Sequence, residues 1–438
     1  MESFKQTNEQ SDSLDARWYE RFESVAFEDY EKLSGEKSHR EQQKDRFLSG
    51  EIENPDLGYP ELESFDVDEK EAALLSLKED VLEAEENEAV RKIYRTKINE
   101  AIATVRMLRA AKDGDDRKFS RYADFIYGKP AESDSNYVIR QVQGYVTENL
   151  ASDNPARVAA ARQLDVLFGD INTHADDGVD STVLPEGEDI AGAVESLDEV
   201  VAAFDEALVE LDIDDWEVVV DSDKGLANFS VSQEHKIVRI PAEEKLLARK
   251  ISKKKLKGLI AHEIGTHVAR RHNGERSKLR LLGLGLDRYI QAEEGVATYA
   301  EQQVVGATEF AGVPRYFSVL AAKGVDGVPR DFQNTFSVMK AYRILTSAKS
   351  DISEKDVENI AYNDCVRIFR GTTCGTPGAV YPKDMSYFGN RKIWTLVSKN
   401  AEVVQQFTVG KYDPTNAGHV ALLSELGILE SDLAALEQ

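Results

Sequence analysis

Two histidines five residues apart set the hardest condition that this sequence places on its fold. The run is His262-Glu263-Ile264-Gly265-Thr266-His267. On an ideal α-helix five residues turn the chain by roughly 500°, which leaves the two side chains about 140° apart. Imidazoles so placed cannot share a ligand. If they share one, a one-residue bulge must widen the turn between them. Gly265 stands where that distortion would fall, and glycine accepts unusual backbone geometry most readily. Ser252 is a candidate N-cap and Gly274 a candidate stop, so the spacing predicts a helix from about 252 to 272. Lys253, Lys254 and Lys255 would oppose the positive end of that helix. An earlier helix start is the simpler explanation, and a basic lip for an acidic peptide is the functional one.

A histidine followed at once by glutamate, with a second histidine nearby, has a chemical meaning. Two imidazoles on one face can hold Zn²⁺, and the glutamate can reach a water on the metal. The metal brings the pKa of that water to about 7. The glutamate, here Glu263, takes its proton and later passes it to the leaving amine. Such a centre needs a third ligand, and the helix expected from Ala292 to about Val305 opens with Glu293 and Glu294. These are neighbours, so one of them is expected to face inward. His272, five beyond His267, offers a second histidine pairing at a helix end beside Arg270 and Arg271.

The rest of the chain bounds the class. It has 438 residues, 41% of them hydrophobic, enough for a sizeable core. No apolar run approaches the roughly 20 residues of a membrane helix, and the first residues lack a secretory pattern. A soluble, cytoplasmic protein is expected. Cys365 and Cys374 are too few for a disulfide scaffold or a cysteine metal site. The net charge of −26 repels nucleic acid and anionic membranes. Residues 1–60 read as an acidic, partly disordered N-terminal segment, with a short helix after Trp18. Residues 61–188 read as helical. Residues 189–438 read as the catalytic region, with a short strand at Trp216–Val220 and a hairpin formed by Asn228–Ser232 and Lys236–Ile240. The hairpin is placed to offer an edge strand to a peptide.

HEIGTH, followed by LGLDRYIQAEEGVA at 284–297, resembles the microtubule-associated tyrosine carboxypeptidases and their bacterial relatives, with likeness from about residue 60 to 425. The resemblance implies an α+β, mostly helical fold with a gluzincin-like domain and a small antiparallel sheet. It implies one Zn²⁺ per chain held by His262, His267 and Glu294, with Glu263 as catalytic base. The Glu-Glu-Gly element continues with Val-Ala here, where relatives carry Leu-Ala. A second block, FRGTTCGTPGAVYPKDMSYFGN at 369–390, is also similar. From it, Arg370 and Lys383 are assigned to substrate binding, Arg370 to the C-terminal carboxylate. Tyr387 is assigned to the oxyanion, with Tyr381 as its competitor. The expected activity is a zinc carboxypeptidase acting by a zinc-bound water activated by Glu263. An endopeptidase with the same chemistry and a non-catalytic binding protein are the alternatives. The expected partner is the C-terminus of a peptide or protein. Residues 51–90 carry 15 acidic side chains against two lysines. On that ground tubulin, with its acidic tails, is not expected as the substrate.

Overall fold

A computed structural model describes residues 13–174, 178–221, 228–347 and 352–430. The fold is mostly helical around one small sheet. The long helical stretch after Asp66 divides in two, Val67–Ala84 and Glu88–Lys112. Asp66 and Asn87 set the two starts, since each side chain accepts from backbone amides of the first turn. Leu74, Leu77 and Val81 of the first helix bury against Ile93, Ile98 and Val105 of the second. The disorder expected for the first 15 or so residues falls largely on residues 1–12, outside the described ones. From Ser13 the segment is docked. Asp15, 1% exposed, accepts from the Tyr94 hydroxyl at 2.8 Å and from the amides of Arg280 and Leu281 at 2.9 Å. Between 189 and 212 the helix is confined to Leu197–Glu210.

The sheet consists of β1 (Glu217–Val220), β2 (Ser230–Ser232) and β3 (Ile237–Ile240) in the order β1-β3-β2. β2 and β3 form the expected antiparallel hairpin, with Val231 opposite Val238. β1 lies parallel to β3, with Val218 opposite Val238. The sheet is therefore mixed, which corrects the antiparallel expectation. The apolar pattern marks each strand, but the partner of β1 depends on where the chain passes between β1 and β2, which no local pattern encodes.

Three helices and one wide turn build the site. They are α1 (Lys253–His262), the turn Glu263–Val268, α2 (Ala269–Arg276) and α3 (Ile290–Val305). Ile264 and Val268, four apart, are fully buried in the core between the sheet and the helix Leu197–Glu210, with Phe204, Val238 and Ile240. Burying side chains of this size contributes about 1.5–3 kcal/mol each. This anchors the back of the turn and leaves His262, Glu263 and His267 on its other side.

Candidate active site

The widened turn is present. Glu263–Val268 is a π-helix, and the Ala269 N–H donates to the carbonyl of Ile264, five residues back. The rings of His262 and His267 converge, with centroids 5.1 Å apart and planes at 71°. One ligand atom each from His262, Glu263 and His267 all lie within 4.8 Å of one another. Gly265 is not what makes room. A methyl group there would meet its nearest neighbour, the Ile260 carbonyl, at 3.9 Å, an ordinary contact. Thr266 is the more active residue, its hydroxyl donating to the Ala261 carbonyl at 3.2 Å, a group that the wide turn crosses.

Each imidazole is oriented by a carboxylate from α3. Glu301 lies 3.1 Å from Nδ1 of His262, and Glu293 lies 3.0 Å from Nδ1 of His267. With Nδ1 so engaged, Nε2 of each ring is left to act as a ligand, the arrangement that ligating histidines adopt with outer carboxylates. Glu293 is itself held at 2.5 Å by Arg270, a fully buried guanidinium. Arg270 also donates to the carbonyls of Gly410 at 2.8 Å and Tyr412 at 2.6 Å. Burial raises the Glu293 pKa, but Arg270 and His267 outweigh it and hold the carboxyl at about 2. Glu301, paired with His262 and Lys255, is also held at about 2 against its burial.

Glu294 differs from its neighbour. One of its carboxylate oxygens, Oε2, is buried without a hydrogen-bond partner. Burial disfavours a charged His262, yet the Glu301 hydrogen bond and the charges of Glu263, Glu294 and Glu301 lift its pKa to about 9. A pair of imidazoles with oriented nitrogens, an unsatisfied buried carboxylate oxygen and a strongly negative local field suit a divalent cation. Glu293 is an orienting group, whereas Glu294 lies outside the group formed by His262, Glu263 and His267 and keeps its buried oxygen unpartnered, so both glutamates are turned inward where a single inward-facing residue was expected. His272 stands apart, paired with Arg276 at 2.7 Å and near Asp215 at 3.7 Å.

The lysines at the start of α1 do occupy its first turn, behind the Ser252 cap at 3.1 Å. Carboxylates offset them. Lys253 pairs with Glu199 at 3.0 Å and Lys255 with Glu301. Lys255 thus supports the carboxylate that orients His262.

Tyr387 lies beside this centre, in the short helix Pro382–Gly389. Its hydroxyl is pushed above its ordinary pKa, first by the negative charge of Glu294 and then by burial, and stays protonated as a donor. Tyr381 is 1% exposed and bound to Asp29 at 2.8 Å and Tyr127 at 3.3 Å, a structural position. Arg370 and Lys383 gather around Tyr30, at 4.0 and 5.2 Å from its ring centre. Lys383 is 3.5 Å from Asp29, and Asp384 pairs with Arg367. Arg370 has no ion-pair partner among the described residues, and its Nε is buried and unsatisfied. These two cations therefore form a neighbouring cluster rather than part of the histidine group.

Sequence reasoning did not single out Glu301, the orienting role of Glu293 or Arg315. Glu301 had a usable signal. It follows Glu294 by seven residues, two turns along the same helix face. Arg315 had none.

The site thus joins a helix-borne histidine pair, a flanking glutamate and, on the next helix, a buried carboxylate oxygen without a hydrogen-bond partner. The chain belongs to the family described as microtubule-associated tyrosine carboxypeptidase, whose model matches residues 45–433. No curated protein and no solved structure matches it significantly. The family indicates carboxypeptidase-type activity and a protein substrate. The expectation that tubulin is not a substrate is not borne out, because the family description itself carries microtubule association. Net charge is a sum over the whole surface and does not report the charge beside a site. No helix among the described residues is long and apolar enough to cross a membrane.

Proposed function

We propose that the protein is a zinc-dependent carboxypeptidase that removes a C-terminal residue from a peptide or protein. His262, His267 and Glu294 would hold the ion. Zinc bound there would acidify water and polarise the scissile carbonyl. Glu263 takes the proton of the attacking water and returns it to the departing amine. The Tyr387 hydroxyl donates to the oxygen on which negative charge develops. Glu293 and Glu301 keep the two rings oriented throughout. The observation that carries this reading is the convergence of the two rings across the wide turn, each with its Nδ1 engaged by a carboxylate. The family's description makes a terminal tyrosine the first side chain to try, and an α-tubulin tail peptide the first protein sequence.

The test uses two peptides ending in tyrosine, one a free acid and one a carboxamide, incubated with zinc-loaded protein and followed by mass spectrometry. Loss of one residue from the free acid alone is expected. Internal cleavage of both peptides would make the protein an endopeptidase. No cleavage of either, with zinc present, would favour a binding role.

A further inference from the structure

A carboxypeptidase needs a cation close to the metal, because a free carboxylate is costly to desolvate unpaired. Four candidates surround the Pro382–Gly389 helix. Arg367 is committed to Asp384, and Lys383 is within 3.5 Å of Asp29. Arg370 is 6% exposed and packed over Tyr30. Arg315 is the fourth. It lies in the first turn of α4 (Val313–Lys323), and its guanidinium carbon stands 3.7 Å from the centre of the Tyr387 ring. Among the described residues its guanidinium has no hydrogen bond or ion pair.

The backbone around Tyr387 fixes this position. Gly312, at φ +81°, lies so close that a methyl group on it would sit 2.6 Å from the Tyr387 carbonyl carbon. Two residues on, Gly389 packs against Gly295, where an added methyl would sit 2.8 Å from its carbonyl carbon. Gly295 is the residue after Glu294. The start of α4, Tyr387 and the Glu294 turn of α3 are thus locked together through these two close backbone approaches. Arg315 is carried on the ring of Tyr387, in the segment that packs against the Glu294 turn, while Arg370 is carried on Tyr30 in the neighbouring cluster.

We propose that Arg315, stacked on Tyr387, binds the substrate's C-terminal carboxylate, the role that sequence reading gave to Arg370. A guanidinium lying on an aromatic face keeps its edge free for two parallel bonds to a carboxylate. The stacking also holds the fork in place before substrate arrives. The same tyrosine then carries the carboxylate anchor on its face and offers its hydroxyl to the reacting carbonyl, which ties recognition of the chain end to the reacting bond. This assignment rests on the carboxypeptidase reading and specifies its substrate as a chain end recognised by its main-chain carboxylate.

The experiment measures binding rather than turnover. Full-length protein carrying Glu263→Gln is titrated into an N-terminally fluorescein-labelled peptide ending in tyrosine, as free acid and as carboxamide, and polarisation gives the two affinities. The free acid is expected to bind more tightly. Arg315→Gln should weaken the acid by roughly 30-fold or more, the lower range for breaking a desolvated charge pair, and leave the amide unchanged. Arg315→Lys should restore part of the preference, and Arg370→Ala should keep it. A preference that survives Arg315→Gln, or that disappears in Arg370→Ala, overturns the assignment. So does equal binding of acid and amide by the Glu263→Gln protein. Zinc content and hydrolysis by the unmodified protein are read in parallel. If those fail while the acid preference still depends on Arg315, the peptidase reading falls and the carboxylate site stands.

Discussion

The two ends of the active region are built on opposite principles. At the histidine end, both Nδ1 atoms have a carboxylate and both orienting carboxylates have a cation, Arg270 for Glu293 and Lys255 for Glu301. At the other end, Arg315 and Arg370 lie on tyrosine rings and form no direct ion pair among the described residues, while the buried Asp384, already paired with Arg367, feels the charge of both. Such a contact holds a guanidinium by its face and leaves its donors open. A satisfied network fixes geometry for a permanent occupant, whereas cations resting on aromatic faces suit an anion that comes and goes. The contrast separates what holds the reaction centre from what reads the substrate.

Variants that break each side should fail differently, and the largest effect is expected from the base. Glu263→Gln keeps size and polarity but cannot accept a proton. Turnover should fall on the order of 10²-fold or more, with zinc retained in elemental analysis. Near-normal turnover would remove Glu263 from the mechanism. Removing an orienting carboxylate should act on the metal instead. Glu301→Gln or Glu293→Gln should weaken zinc affinity by roughly 10–100-fold, read by competition with a chelator. Unchanged affinity would mean that these contacts do not support ligands. Gly295→Ala is a milder, steric probe. Its methyl would press on the Gly389 backbone, costing about 1–3 kcal/mol in thermal or denaturant unfolding. A stable, unaltered variant would show that α3 and the Tyr387 segment are not locked. Lys255→Ala should be the smallest. Its side chain is 47% exposed, so its pair with Glu301 is screened and should contribute no more than about 1 kcal/mol to unfolding stability. A larger loss would place Lys255 within the ligand network proper.

The sequence made the central distortion legible because it follows from arithmetic on a helix. Two histidines five positions apart cannot share a face without a wider turn, and the turn is there. The reason offered for it was incomplete. Gly265 has room for a methyl group, and Thr266 supplies a side-chain hydrogen bond to Ala261 that a pattern of apolar positions does not reveal. Glu294 stood out because it shares a helix with a recognisable element. Arg270 did not, because its partners at 410 and 412 come from a distant part of the chain. Arg315 was equally silent, since its place on Tyr387 depends on the close packing of Gly312 in three dimensions. The pairing of β1 was lost for the same reason. Local periodicity reports which face is buried and says little about which element covers it.

The central claim is that one metal ion sits between His262, His267 and Glu294. A crystal of zinc-loaded protein measured just above and just below the zinc absorption edge tests it directly. The account requires a single anomalous peak per chain that contacts Nε2 of both histidines and a carboxylate oxygen of Glu294, and that vanishes in Glu294→Ala. Zinc found only elsewhere, or held there with Glu293 in place of Glu294, would contradict it.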